Sequence, residues 1–129
     1  MSRQVKGSFD VTVTPQTPAD APVGRMSLDK TFHGALSATS VGEMLAIHGG
    51  VAGSAGYVAM ERVTGSLEGR EGSFALQHRG VMDRGAPSLT ITVVPDSGTG
   101  ALAGLTGALG VEITEGKHFY SFDYTLPGD

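Results

Sequence analysis

The chain predicts an all-β protein: a closed eight-stranded antiparallel β-barrel with little or no helix. Three observations point there. Apolar and polar residues alternate in run after run, with a period of two rather than 3.6. The runs are separated by turns rich in glycine and proline. Glycine supplies 20 of the 129 residues and asparagine is absent, so glycine must provide most left-handed backbone positions. Finally, an open meander of about eight such strands would leave two unpaired edges, which closure removes. A two-sheet sandwich is the alternative arrangement.

In chain order, Val5, Gly7, Phe9, Val11 and Val13 share one face of a first strand, against Lys6, Ser8, Asp10 and Thr12. Prolines 15, 18 and 22 make residues 15–23 a loop, because proline cannot donate to a ladder. Met26, Leu28, Lys30 and Phe32 then share a face of a second strand. Residues 35–48 resume the alternation less cleanly. Gly42 suggests a bulge there, and GEMLAI could form a helical turn too short to stand alone. Residues 49–56 (GGVAGSAG) read as a turn or mobile loop.

The stretch Tyr57–Val94 holds three strands and two glycine-bearing turns. With Gly69 and Arg70 as a two-residue tip, Glu61 faces His78, Val63 faces Leu76 and Gly65 faces Phe74. Tyr57 and Ala59 lie on the same face, and Arg62, Thr64, Gln77 and Arg79 on the wetter one. Leu89, Ile91 and Val93 follow in another strand, ended by Pro95. Then comes a glycine-rich connection with one helical turn near residues 101–104. Strands 106–114 and 117–126 are joined by Glu115-Gly116, pairing Ile113 with His118, Val111 with Tyr120 and Leu109 with Phe122.

One domain spanning 1–129 suits this length. The net charge of −4 carries no basic stripe, which argues against nucleic acid and anionic membrane as partners. No segment approaches the ~20 apolar residues of a spanning helix. Cysteine is absent, so there is no disulfide frame, thiolate nucleophile or cysteine-based zinc site. MSRQVKGSFDVTV has neither an apolar core nor a cleavage pattern, so no signal peptide is expected. A cytoplasmic location follows as the expectation.

Cofactor motifs fail on context. Gly98, Gly100 and Ala103 match the spacing of a dinucleotide-binding turn, but Gly104, Gly107 and Gly110 follow where a long helix is required. Gly116-Lys117 lacks the rest of a phosphate loop, and there is no G-x-S-x-G nucleophile elbow. His33, His48, His78 and His118 never fall at paired metal-ligand spacing. No cofactor and no metal are expected.

Lys30 and Glu61 both sit on apolar faces, where each must find a partner or shift its pKa. A Lys30–Glu61–His78 cluster would meet both needs. It would either lock barrel registry as an ion pair or serve acid–base chemistry. Tyr57, Phe74, His118, Tyr120 and Tyr124 line the same interior faces and are the candidate ligand contacts.

The segments YVAMERVTGSLEGREGSFALQHRGVM, LTITVVPDSGTGALAGLTG, GKHFYSFDYTL and DKTFHGALSATSVGEML together resemble a bacterial domain family of unknown function with the allene oxide cyclase-like barrel fold. The likeness runs from Val5 to Leu126. It implies a closed eight-stranded barrel and, because related barrels self-associate, a homo-oligomer of two or more chains. Ala35 departs from the family's G-D-L triplet, so any role of that acid is missing here.

Three functions are compatible with these residues. The barrel could bind a hydrophobic small molecule, anchored by Glu61, His78 and Lys30. It could be a cofactor-free isomerase, cyclase or lyase in which Glu61 or His78 moves a proton. Or it could be a solid structural barrel whose outer face, with Met44, Val58 and Met60, joins copies together. An internal void of ~300 Å³ or more separates the first two from the third.

Overall fold

The computed structural model describes residues 2–128. Eight strands run β1 Arg3–Pro15, β2 Gly24–Gly34, β3 Leu36–His48, β4 Ala55–Leu67, β5 Arg70–Asp83, β6 Ala86–Val93, β7 Thr106–Thr114 and β8 Lys117–Thr125. Each pairs antiparallel with the next, and β8 returns to β1, so the sheet closes into a barrel. The described helix is one 3₁₀ turn, Gly100–Leu102. Closure rather than a sandwich rests on long ladders: β1 to β5 pair over most of their residues, which lets the sheet twist round until β8 meets β1.

Side-chain parity decides what fills the barrel. Odd positions of β1, β4, β6 and β7 and even positions of β2, β3, β5 and β8 point inward, and they supply nearly all of the buried set. The interior is divided into two ends. At the sealed end Leu36, Leu67, Leu102, Leu105 and Leu126 close over Phe74, Phe122 and Tyr124. The 3₁₀ turn is tied down there by Thr99 N–H donating to the Ser73 carbonyl at 2.8 Å. At the open end lie the β1–β2 and β3–β4 loops and the β5–β6 and β7–β8 turns. Inward-facing Val13, Met82, Leu89 and Ile113 are left 40–63% exposed there.

Two hairpins show how turn chemistry sets register. Glu115 and Gly116 both have positive φ (52° and 78°), the geometry of a tight two-residue turn. Ile113, Val111 and Leu109 accordingly pair with His118, Tyr120 and Phe122 as expected. In the β4–β5 hairpin, however, the positive-φ pair is Glu68 (48°) and Gly69 (81°), one residue earlier than the expected tip. Glu61 therefore pairs with Leu76, Val63 with Phe74 and Ala59 with His78. Moving the tip by one residue slides the register by two, so every side chain keeps its face. Glu61 and His78 become diagonal neighbours instead of opposed ones.

Strand β3 corrects three further expectations. It is one continuous strand, with neither a bulge at Gly42 nor a helical turn in GEMLAI. Gly42 faces Glu61 across β3–β4, where an added Cβ would lie 2.7 Å from the Glu61 Cβ and 2.4 Å from the Met60 carbonyl oxygen. The missing side chain makes room for the glutamate. Met44, expected outside, has inward parity and pairs with Met26 and Ala59.

Candidate functional site

Four neighbouring strands bring an ionic cluster together inside the barrel. Lys30 on β2 and Glu61 on β4 meet across β3, and His78 reaches Glu61 diagonally from β5. Lys30 Nζ lies 2.8 Å from Glu61 Oε2, and His78 Nε2 lies 2.5 Å from the same oxygen. The Ser40 hydroxyl, on the intervening β3, donates to Oε1 at 2.8 Å. The Glu61 side chain is wholly shielded from solvent, and Lys30 and His78 retain only 9% and 5% of their exposure.

Burial is the largest influence on the Glu61 carboxyl and would raise its pKa. The hydrogen bond from His78, then the charge and hydrogen bond of Lys30, and lastly the charge of His78, outweigh it and hold the group at about 2. The glutamate is thus an anion inside the barrel. The ammonium of Lys30 also stands 5.3 Å and 5.9 Å from the ring centres of Phe9 and Phe32, within cation–π range of both.

The cluster lies between the two ends. On its sealed side Val63, Phe74 and Leu76 are essentially inaccessible. On its open side Tyr57 lies flat over Gly80, where a Cβ would fall 1.9 Å from a ring carbon. Burial, then the charge of Glu61, raises the Tyr57 pKa. Among the described residues, every fully buried side-chain nitrogen or oxygen has a hydrogen-bond partner. The Tyr57 hydroxyl and His78 Nδ1 have no such partner there, so both atoms must touch solvent. The open end is therefore an apolar rim with a polar floor.

The remaining candidates divide between the two ends. His118 is half-buried beside the cluster, its ring centre 5.1 Å from that of Phe9. Phe74 is stacked on Phe122 in the sealed half at 5.8 Å. The Tyr124 hydroxyl is committed to Glu68, and burial raises its pKa. The Tyr120 hydroxyl donates to the His33 carbonyl and accepts from Leu36 N–H, both at 2.9 Å. It fits because Gly7 beneath it has no side chain. Ala35 lies in the β2–β3 turn at the sealed end, accepting from Glu68 N–H, well away from Glu61. Ser40 and the rim residues Val13, Met26, Met82, Leu89 and Ile113 were not among the sequence candidates. Their parity would have found them once their strands were assigned.

A pocket of about 360 Å³ on the outer wall reaches Tyr57 and Gly80 beside Leu45, Ile47 and Val58. One of about 680 Å³ lies on the outer wall over Gly7 and Gly110. Another, of about 440 Å³, meets Glu61 only from outside, beside Val41, Met60 and Arg62. None of the three is an enclosed barrel cavity. The 98–103 glycine motif serves as part of the plug: Gly98 lies against the Leu102 carbonyl, and no long helix follows.

Together these features define a small closed barrel with an ionic cluster beneath one open end. The chain belongs to the family described as "Protein of unknown function (DUF3224)", whose model matches residues 5–124. It is similar to a crystal structure of a protein with unknown function from that family in Shewanella oneidensis MR-1. The two share 48% identity over 98% of each chain, with a TM-score of 0.91. No curated protein matches the chain.

Proposed function

We propose that this protein is a small-molecule-binding barrel that holds an apolar ligand at its open end, above Lys30, Glu61 and His78. One observation carries the reading. Inward-facing Val13, Met82, Leu89 and Ile113 stay exposed at the open end of the barrel whose interior also holds Lys30, Glu61 and His78. Apolar walls with a few convergent polar groups are the usual make-up of a ligand site. The sealed half is filled by its own side chains and supplies no interior void of the kind expected for a buried ligand, so the reading is confined to the open end. Native mass spectrometry of protein from its own host tests the reading. A retained small molecule, displaced on Leu89→Asp substitution, is the expected result; ligand-free protein that gives no methyl shifts at Leu89 and Ile113 with any apolar probe would remove it.

The 2.5 Å contact between Glu61 and His78 favours a second reading, a cofactor-free isomerase, cyclase or lyase. A carboxylate that orients an imidazole is the usual preparation of a general base. Incubating the extracted ligand with fresh protein in D₂O separates the two. Deuterium incorporation by wild type but not by His78→Gln supports turnover, and recovery of unlabelled ligand supports binding alone.

The outer face supports self-association as a companion proposal. Val41, Leu45, Ile47, Val58 and Met60 form a stripe across β3 and β4, each 44–63% exposed. Contiguous apolar surface of this kind marks an interaction face.

A further inference from the structure

We infer a second binding site at the open-end rim, apart from the mouth described above: a pocket beside the β1–β2 loop that takes an uncharged aromatic small molecule. The cavity measures about 390 Å³, within the range of small-molecule sites. Pro15, Pro18, Pro22, Met26, Ala46 and His48 are among the residues that line it. Neither the Lys30–Glu61–His78 cluster nor the exposed set Val13, Met82, Leu89 and Ile113 takes part in the lining. The loop that walls it is held in shape. Gln16 N–H donates to the Arg25 carbonyl at 2.8 Å, and Ala21 N–H to the Pro18 carbonyl at 3.1 Å. Arg25 N–H donates to the Thr17 hydroxyl at 3.0 Å, and the Gln16 side-chain amide to the Ser27 hydroxyl at 2.8 Å. The prolines fix further backbone angles. A wall ordered in advance lowers the cost of holding a ligand.

The lining selects the ligand. Its polar side chains are Thr17, Arg25 and His48. Thr17 already accepts from Arg25 N–H, and the Arg25 guanidinium lies 2.6 Å from Glu43 Oε1, so its charge is matched within the protein. No unpaired lysine or arginine is offered to an anion. His48 has no partner among the described residues, and its imidazole can meet one polar atom of the ligand whichever ring nitrogen carries the proton. Everything else in the lining is proline, methionine, alanine, glycine or isoleucine. Proline rings pack on aromatic faces, as in the recognition of proline-rich peptides, and a thioether is attracted to an aromatic ring. The lining holds no phenylalanine or tyrosine, so the ligand supplies that ring. Gly24 leaves room for it: a Cβ there would meet only the Ala46 carbonyl oxygen, at 3.6 Å.

The test uses two probes with the same alcohol group, naphthalene-2-methanol and its decahydro analogue. Calorimetry gives the affinities, and methyl NMR follows Met26, Leu89 and Ile113 in the wild-type protein. The expected result is that the aromatic probe binds roughly fivefold tighter than the saturated one and moves the Met26 methyl upfield through its ring current. Both effects should be lost in Gly24→Leu, whose side chain fills the pocket. Equal or tighter binding of the saturated probe overturns the aromatic preference. A Met26 methyl that neither probe moves overturns the site, and a response of Leu89 and Ile113 in the same titration leaves the mouth reading standing without it. A Met26 response with Leu89 and Ile113 unmoved supports this pocket and counts against the mouth. Undiminished binding to folded Gly24→Leu overturns the placement.

Discussion

Glu61 concentrates the site's electrostatics in one side chain. Its carboxyl is held at about 2 in the folded protein against an ordinary value of 4.5. A depressed carboxyl stabilises the fold fully above the unfolded value, and that contribution is lost as pH falls from about 4.5 through about 2. The shift corresponds to about 3 kcal/mol. Urea unfolding of wild type and Glu61→Gln between pH 7 and pH 2 should show this difference: the wild-type advantage shrinks with acid, whereas parallel stability profiles would mean that the carboxylate is not coupled to folding. Alternation alone placed Lys30, Glu61 and His78 on inward faces, because parity survives an error of two in register. The pairing itself was not legible. Glu68-Gly69 and Gly69-Arg70 are both credible tight turns, and only backbone geometry distinguishes them. Ser40 was missed because a serine on an alternating strand carries no sign of what it faces. Gly42 looked like a bulge because the sequence cannot show that its empty space belongs to Glu61.

Among the elements, β6 and β7 are joined least. Among the described residues their ladder is one bridge, Thr92 to Ala108, whereas β3 and β4 pair from Leu36–Leu67 to His48–Ala55. Beyond that bridge the ladder has a gap among the described residues, and Leu89 and Ile113 lie on its open-end side. The β7–β8 hairpin therefore stands at the mouth attached through β8, whose pairing with β1 ends at Phe9–His118. Hydrogen exchange should reflect this. Amides of β6 and β7 that face the gap are expected to exchange well before those of the β4–β5 hairpin, and uniform protection around the barrel would contradict it. The hairpins were readable from glycine-bearing turns between alternating runs. The loose junction was not, since residues 95–105 separate β6 from β7 by a connection whose path depends on the plug it forms.

For the whole molecule, one end sealed by leucines and one end open gives the barrel a direction. Closure was legible because eight short-looped strands leave edges otherwise. The difference between the ends was not, since Leu89, Ile113 and Val13 are indistinguishable in sequence from core residues of the same strands. The outward stripe of β3 and β4 is expected to be covered by a second copy. Val58→Lys with Met60→Lys should shift the protein to a smaller species in analytical ultracentrifugation without altering its fold, and an unchanged mass would remove that face as the contact.

The return of β8 to β1 has a kinetic consequence. Every other pairing joins strands adjacent in sequence, so the meander can assemble hairpin by hairpin, whereas this one must close a loop nearly the length of the chain. Ring closure is thus the natural last event of folding. Val5→Ala, at the β1–β8 pair Val5–Phe122, should cost about 1–2 kcal/mol. Nearly all of that loss should appear as faster unfolding, with the refolding rate unchanged. Val63→Ala in the β4–β5 hairpin should instead slow refolding. Stopped-flow chevrons of the two variants would show whether this barrel is closed last or is templated around its β1–β8 seam.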